Sequence, residues 1–124
     1  MAEKENILIT KSFDFAVRVV NLYKFLEKNE RVLSKQLLSS GTAIGAISEE
    51  AIGAQSDADF INKLSIAYKE ARESLYWIRL LNKTGYLSEK EYSSIYKDGE
   101  ELIKILTKII KTSKDKKIVN NINS

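Results

Sequence analysis

Residues 39–54 read SSGTAIGAISEEAIGA, and eleven of these sixteen residues are Gly, Ala, Ser or Thr. Three are glycine (Gly41, Gly45 and Gly53), and glycine costs a helix interior about 1 kcal/mol relative to alanine. Yet the stretch has no proline and no Asn-Gly or Asp-Gly turn, and Ile44, Ile47 and Ala51 continue a seam opened by Leu33 and Leu37. The spacing predicts a helix from about Glu30 to Ala54. Gly41, Gly45, Glu49 and Gly53 form a stripe at four-residue spacing beside that seam, with Ser48 and Ile52 adjacent. Small residues in such a row let another helix backbone come close. Two readings stand: dense packing inside one bundle, or contact with a neighbouring subunit.

Three more helices surround this one. The first runs from about Ser12 to Lys28 and carries two adjoining apolar seams. One is Phe13, Ala16, Val20 and Tyr23; the other is Phe15, Val19, Leu22 and Leu26. Together they exceed the arc of ~100° that packing on one core requires. The third helix opens at Ser56-Asp57-Ala58-Asp59, with Ser56 as N-cap and two acids where the dipole favours them. Phe60, Leu64, Ala67, Ala71, Ser74, Ile78 and Leu81 form its seam, and Thr84-Gly85 ends it. The fourth opens at Ser88-Glu89-Lys90-Glu91, a capping box. Its seam is Tyr92, Ile95, Gly99, Leu102, Leu106 and Ile109. Short connections between long helices predict an all-α, up-down-up-down antiparallel four-helix bundle over residues 12–113. An N-terminal arm, 1–11, and a basic, frayed C-terminal tail, 114–124, flank it.

Composition narrows the chemistry. The 124 residues suit one domain, and cysteine, histidine and proline are absent. That removes thiolate metal sites, disulfides, the commonest general base and the commonest metal ligand. A four-helix bundle that holds two irons uses Glu-x-x-His pairs, whereas this chain has Glu70-x-x-Glu73. No Gly-rich phosphate loop and no nucleophile–base pair occurs. A non-enzymatic protein without cofactor or metal is expected. MAEKENILITK lacks the apolar core of a signal peptide, and no run approaches the ~18 apolar residues of a membrane span. A cytoplasmic, bacterial-type protein without a membrane partner follows as the expectation.

Charge is uneven. Residues 1–101 carry 14 Lys/Arg against 16 Asp/Glu, and residues 102–124 carry six Lys against one Asp. The six are Lys104, Lys108, Lys111, Lys114, Lys116 and Lys117, and the first three share a helix face. They read either as a phosphate-binding patch for RNA or DNA, or as a solvated face that also suits a helix C-terminus. No aromatic residue interleaves with them, so base stacking is not implied.

The motifs across helices 2 and 3 carry a resemblance. Gln36, Leu37, Ser40, Ile44, Gly45, Glu50 and Ala51 are followed by Ser56, Asp59 and Phe60. Lys63, Leu64, Ile66, Ala67, Lys69, Glu70, Glu73, Ser74, Tyr76, Trp77 and Leu81 complete the pattern. It resembles that of the bacterial four helix bundle proteins, also called the 23S rRNA-intervening-sequence protein family. Ile47 stands where those proteins commonly have Asn, so an apolar contact is expected there. The resemblance implies a homopentamer and a relation to accessory proteins of diversity-generating retroelements, which bind nucleic acid and a reverse transcriptase.

With that assembly in view, helix 1's excess apolar arc favours an interface reading. The expected interface residues are Phe15, Val19, Leu22, Gly41, Gly45, Glu49, Ile52 and Trp77. A Glu49 buried there would need a cation, with Arg18, Arg72 and Arg79 as candidates. Otherwise Glu49 and Glu50 are two solvated acids. The competing functional class is a protein–protein scaffold using exposed aromatic residues such as Tyr76 and Trp77.

Overall fold

The computed structural model describes residues 2–123. Four helices account for nearly all of them: α1 (Glu3–Leu26), α2 (Val32–Ile52), α3 (Asp57–Lys83) and α4 (Glu89–Asn123). No strand occurs among the described residues. α1 packs on α2 and α4, and α3 packs on α2 and α4.

The start signals work as their chemistry requires. Ser56 accepts a hydrogen bond from the Asp59 N–H at 3.1 Å. Ser88 and Glu91 close a reciprocal box: the Glu91 N–H donates to Ser88 Oγ, and the Ser88 N–H donates to Glu91 Oε1, both at 3.1 Å. The Glu30 carboxylate accepts from the Leu33 N–H and so caps α2, a role its sequence position did not announce. Gly85 follows α3 with φ +89°, in the left-handed region that glycine alone enters freely.

The seams of α2, α3 and α4 fill the core. Leu37, Ile44, Leu64, Ala67, Ala71, Ile78, Leu81, Ile95, Leu102 and Leu106 are buried, and Ile47 packs against them half-buried. Five buried serines sit among these side chains. Ser74 donates to Ser40 at 2.9 Å and joins α3 to α2, and Ser48 returns its hydroxyl to the Ile44 carbonyl at 2.7 Å. No buried side-chain polar atom among the described residues lacks a partner.

The structure corrects several boundaries. Residues 3–11 are the first turns of α1, not a separate arm, because Leu8 is fully buried in the core. Residues 114–123 do not fray but continue α4. Lysine is a good helix former, and no Gly or Pro interrupts the run.

Candidate nucleic-acid interface

α4 is 35 residues long and leaves the core after Ile109, its last buried residue. Beyond it α4 borders only the first turns of α1 and α3 across open hollows, and the sequence turns from isoleucine and leucine to lysine. Lys104, Lys108, Lys111, Lys114 and Lys116 are exposed and Lys117 is half-buried. None of the six makes an ion pair among the described residues; the four pairs there are Lys11–Glu101, Arg18–Asp98, Arg31–Glu27 and Lys63–Glu50.

The six lysines do not form one patch. Lys104, Lys108 and Lys111 share the face of α4 turned from the core. Lys114 and Lys117 border a shallow hollow with Ala58, Ile61, Asn62 and Ser65 of α3. Lys116 lines a cleft of about 780 Å³ whose rim includes Glu3, Glu5 and Asp57. The positive charge is thus wrapped around the distal part of α4. Beyond it, Ile118, Val119 and Ile122 are exposed, an apolar tip that the sequence reading did not single out.

The expected interface set divides. Phe15 and Val19 are core residues, 2 % and 1 % exposed, and cannot present themselves to another subunit. Gly41 and Gly45 are covered by α1 of the same chain. A Cβ on Gly41 would lie 2.8 Å from Val19 Cγ2, and one on Gly45 would lie 3.3 Å from the Ser12 carbonyl oxygen. The Gly41–Gly45 part of the small stripe is therefore where α1 and α2 approach each other, while Glu49 and Gly53 at its far end are exposed. Leu22 is half-buried against the core. Glu49 is exposed, and its candidate partners are engaged elsewhere. Arg18 pairs with Asp98 at 2.7 Å, Arg72 reaches the Tyr68 hydroxyl, and Arg79 lies over the Tyr76 ring. Glu50 pairs with Lys63 at 3.7 Å. Ile52 remains 40 % exposed.

Trp77 is half-buried on α3. Its indole N–H donates to Glu73 at 3.2 Å, and its ring meets Tyr76 edge-on, 5.0 Å between centroids. Glu70, one turn before Glu73, is held above the usual carboxylate range, chiefly by partial burial and secondly by the Glu73 charge. The other seam of α1 is the outward one: Phe13 is 59 % exposed, with Val17 exposed beside it. The sequence had supplied this signal as a second apolar seam on α1, but spacing alone does not say which of two seams turns inward.

Among the described residues no group of three or more Asp or Glu is placed to hold a metal ion, and no helix is long and apolar enough to cross a membrane.

The fold and its lysine-wrapped fourth helix define an all-helical protein of the four-helix class. The chain belongs to the 23S rRNA-intervening sequence protein family, whose model matches residues 4–108. It is similar to a crystal structure of a protein of unknown function from the S23 ribosomal protein family of Bacteroides thetaiotaomicron VPI-5482. The two are 56 % identical with a TM-score of 0.85, over 87 % of this chain and 98 % of that one. No curated protein matches the chain.

Proposed function

We propose that this protein is a non-enzymatic, cytoplasmic accessory protein that assembles as a homopentamer of up-down-up-down antiparallel bundles and binds RNA or DNA through the lysines of α4. The observation that carries this reading is the set of six lysines on one helix, all without an acidic partner among the described residues. Cations left unneutralised at a helix end are free to displace counterions from a phosphate backbone. Five copies would bring about thirty such charges together, and repeated weak contacts gain by avidity. The family's name puts ribosomal RNA in view, and the similar structure is named for a ribosomal protein family. The antiparallel arrangement is supported by contact pairs that run in opposite senses: Ser12 with Gly45 and Val19 with Gly41, Lys11 with Glu101 and Arg18 with Asp98.

The experiment is binding of a labelled structured RNA by fluorescence anisotropy across a salt series. Affinity should fall steeply with salt. Replacing Lys114, Lys116 and Lys117 by Gln should lower the log–log slope by roughly 2 to 3 for each chain engaged. Absence of binding at low salt by the intact assembly would overturn this reading. A second reading, a protein–protein scaffold, is favoured by the exposed Phe13 and Tyr76, and predicts partner binding that survives high salt.

A further inference from the structure

Two sides of the bundle that meet at α2 are left uncovered, and they differ in chemistry. Ser12 and Val19 mark the edge of α1 that meets α2, and Lys11 and Arg18 the edge that meets α4. At ~100° per residue, Ile9, Phe13 and Val20 lie beyond the α2 edge, on the outer surface of the α1–α2 side. Leu38 and Thr42 of α2 fall on that same side. Ser74 likewise marks the edge of α3 that meets α2, and Leu75 the edge packed on Gly99 of α4. Ile66, Glu73 and Trp77 lie beyond the Ser74 edge, on the outer surface of the α2–α3 side.

The charges are complementary at the end of the bundle away from Glu49, an exposed acid on the α1–α2 side. At one end of the α1–α2 side, Lys24 and Lys35 are exposed with no ion pair among the described residues. The α2–α3 side carries Glu70 and Glu73, crowded together and also without an ion pair there. The levels match as well. α1 and α3 begin at the same end, where Glu3 and Asp57 line one cleft. Phe13 lies ten residues into α1 and Ile66 nine into α3; Val20 lies seventeen in and Glu73 sixteen. Lys24 stands at the level of Trp77, one turn from Glu73. Neighbouring sides of a square bundle face roughly 90° apart, and a closed ring of four or five copies needs about 90° to 108° between its two contact faces.

We propose that the α1–α2 side of one copy docks head-to-tail on the α2–α3 side of the next, with Phe13 packed against Ile66 and Trp77 and with Lys24 and Lys35 answering Glu70 and Glu73. This rests on the oligomeric reading above and assigns its contact faces. Such a contact is heterologous, so it propagates around a ring instead of stopping at a dimer.

The chain has no cysteine, so introduced thiols report cleanly. Val17→Cys and Glu73→Cys are made singly and together and treated with a short bismaleimide, with the mass of each preparation fixed by light scattering. The double variant should give a ladder that ends at the ring size, and each single variant no crosslinked species. Phe13→Glu should reduce the mass to that of one 14.1 kDa chain while its helical circular dichroism is retained. Crosslinking of either single variant would mean a two-fold contact and overturn the proposal. An intact oligomer with no ladder would overturn the face assignment and leave the oligomeric reading standing. Wild-type protein at the single-chain mass at tens of micromolar would overturn both.

Discussion

Gly41 and Gly53 lie on one stripe of α2 but answer to different physics. A methyl group on Gly41 would press on Val19, whose β-branched side chain has little rotamer freedom in a helix to yield. Gly41→Ala should therefore destabilise the chain by about 1–3 kcal/mol, an overpacking penalty that exceeds the roughly 1 kcal/mol gained in helix propensity. Gly53 has φ −92°, and the nearest atom to its added Cβ is the Glu50 carbonyl oxygen at 3.7 Å. Gly53→Ala should stabilise by about 0.4–1 kcal/mol through a less flexible unfolded chain. Urea denaturation midpoints of the two variants should move in opposite directions. Glu70 offers a test by pH. Its carboxyl titrates above the ordinary value in the fold, so the folded chain binds more protons than the unfolded chain in that window. In the single chain Glu70's contribution to stability should rise as pH falls through the upper carboxylate range. Glu70→Gln should abolish that gain and shift stability near neutral pH by no more than about 0.5 kcal/mol, since the group is largely solvated. The comparison belongs on the Phe13→Glu background, where no neighbouring copy contributes charge.

At the scale of elements, α4 divides into a part with a core to face and a part without one. Up to Ile109 its apolar residues recur at helical spacing and are buried; beyond it, Ile118, Val119 and Ile122 stand in solvent. Ending the chain after Lys117 should leave the denaturation midpoint within about 0.5 kcal/mol of wild type and preserve the salt slope of RNA binding, because every lysine of the set is retained. A loss above about 2 kcal/mol would mean that the apolar tip covers a surface within the assembly. The same division explains what the residue pattern discloses. α2, α3 and the first part of α4 each have one seam, so their inner faces were legible from spacing, as were the caps at Ser56 and Ser88. α1 has two seams, and periodicity groups residues by face without saying which face turns inward. That choice lies in α2: Val19 and Ser12 sit where Gly41 and Gly45 leave room for them. Residues 3–11 read as an arm because Leu8 alone among them is buried, too little for a period. The distal α4 reads as frayed because it lacks a seam, although helix propensity without interruption carries it to Asn123. The lysine set was legible as charge; its dispersal around the α4 shaft was not, because a tail read as frayed has no helical faces on which to place Lys114, Lys116 and Lys117.

For the whole molecule, assembly and nucleic-acid binding are joined by arithmetic. A single chain offers six lysines spread over several directions, and a rigid RNA surface meets only some of them at once. A ring repeats the same weak contact at fixed spacing, and each contact after the first is intramolecular, so avidity exceeds the single-site affinity by about 10²–10⁴. Phe13→Glu alters no lysine and lies on α1, away from the charged part of α4. It should nonetheless weaken RNA binding by about two orders of magnitude or more at fixed salt, with a shallower salt slope, because fewer phosphates are engaged per complex. Lys114, Lys116 and Lys117→Gln, by contrast, should lower affinity while leaving the oligomer mass unchanged. Measured together by anisotropy and light scattering, the two variants separate loss of charge from loss of multiplicity. If Phe13→Glu protein were monomeric yet bound RNA as tightly as wild type, the lysines of one chain would suffice, and the ring would serve something other than the gathering of positive charge.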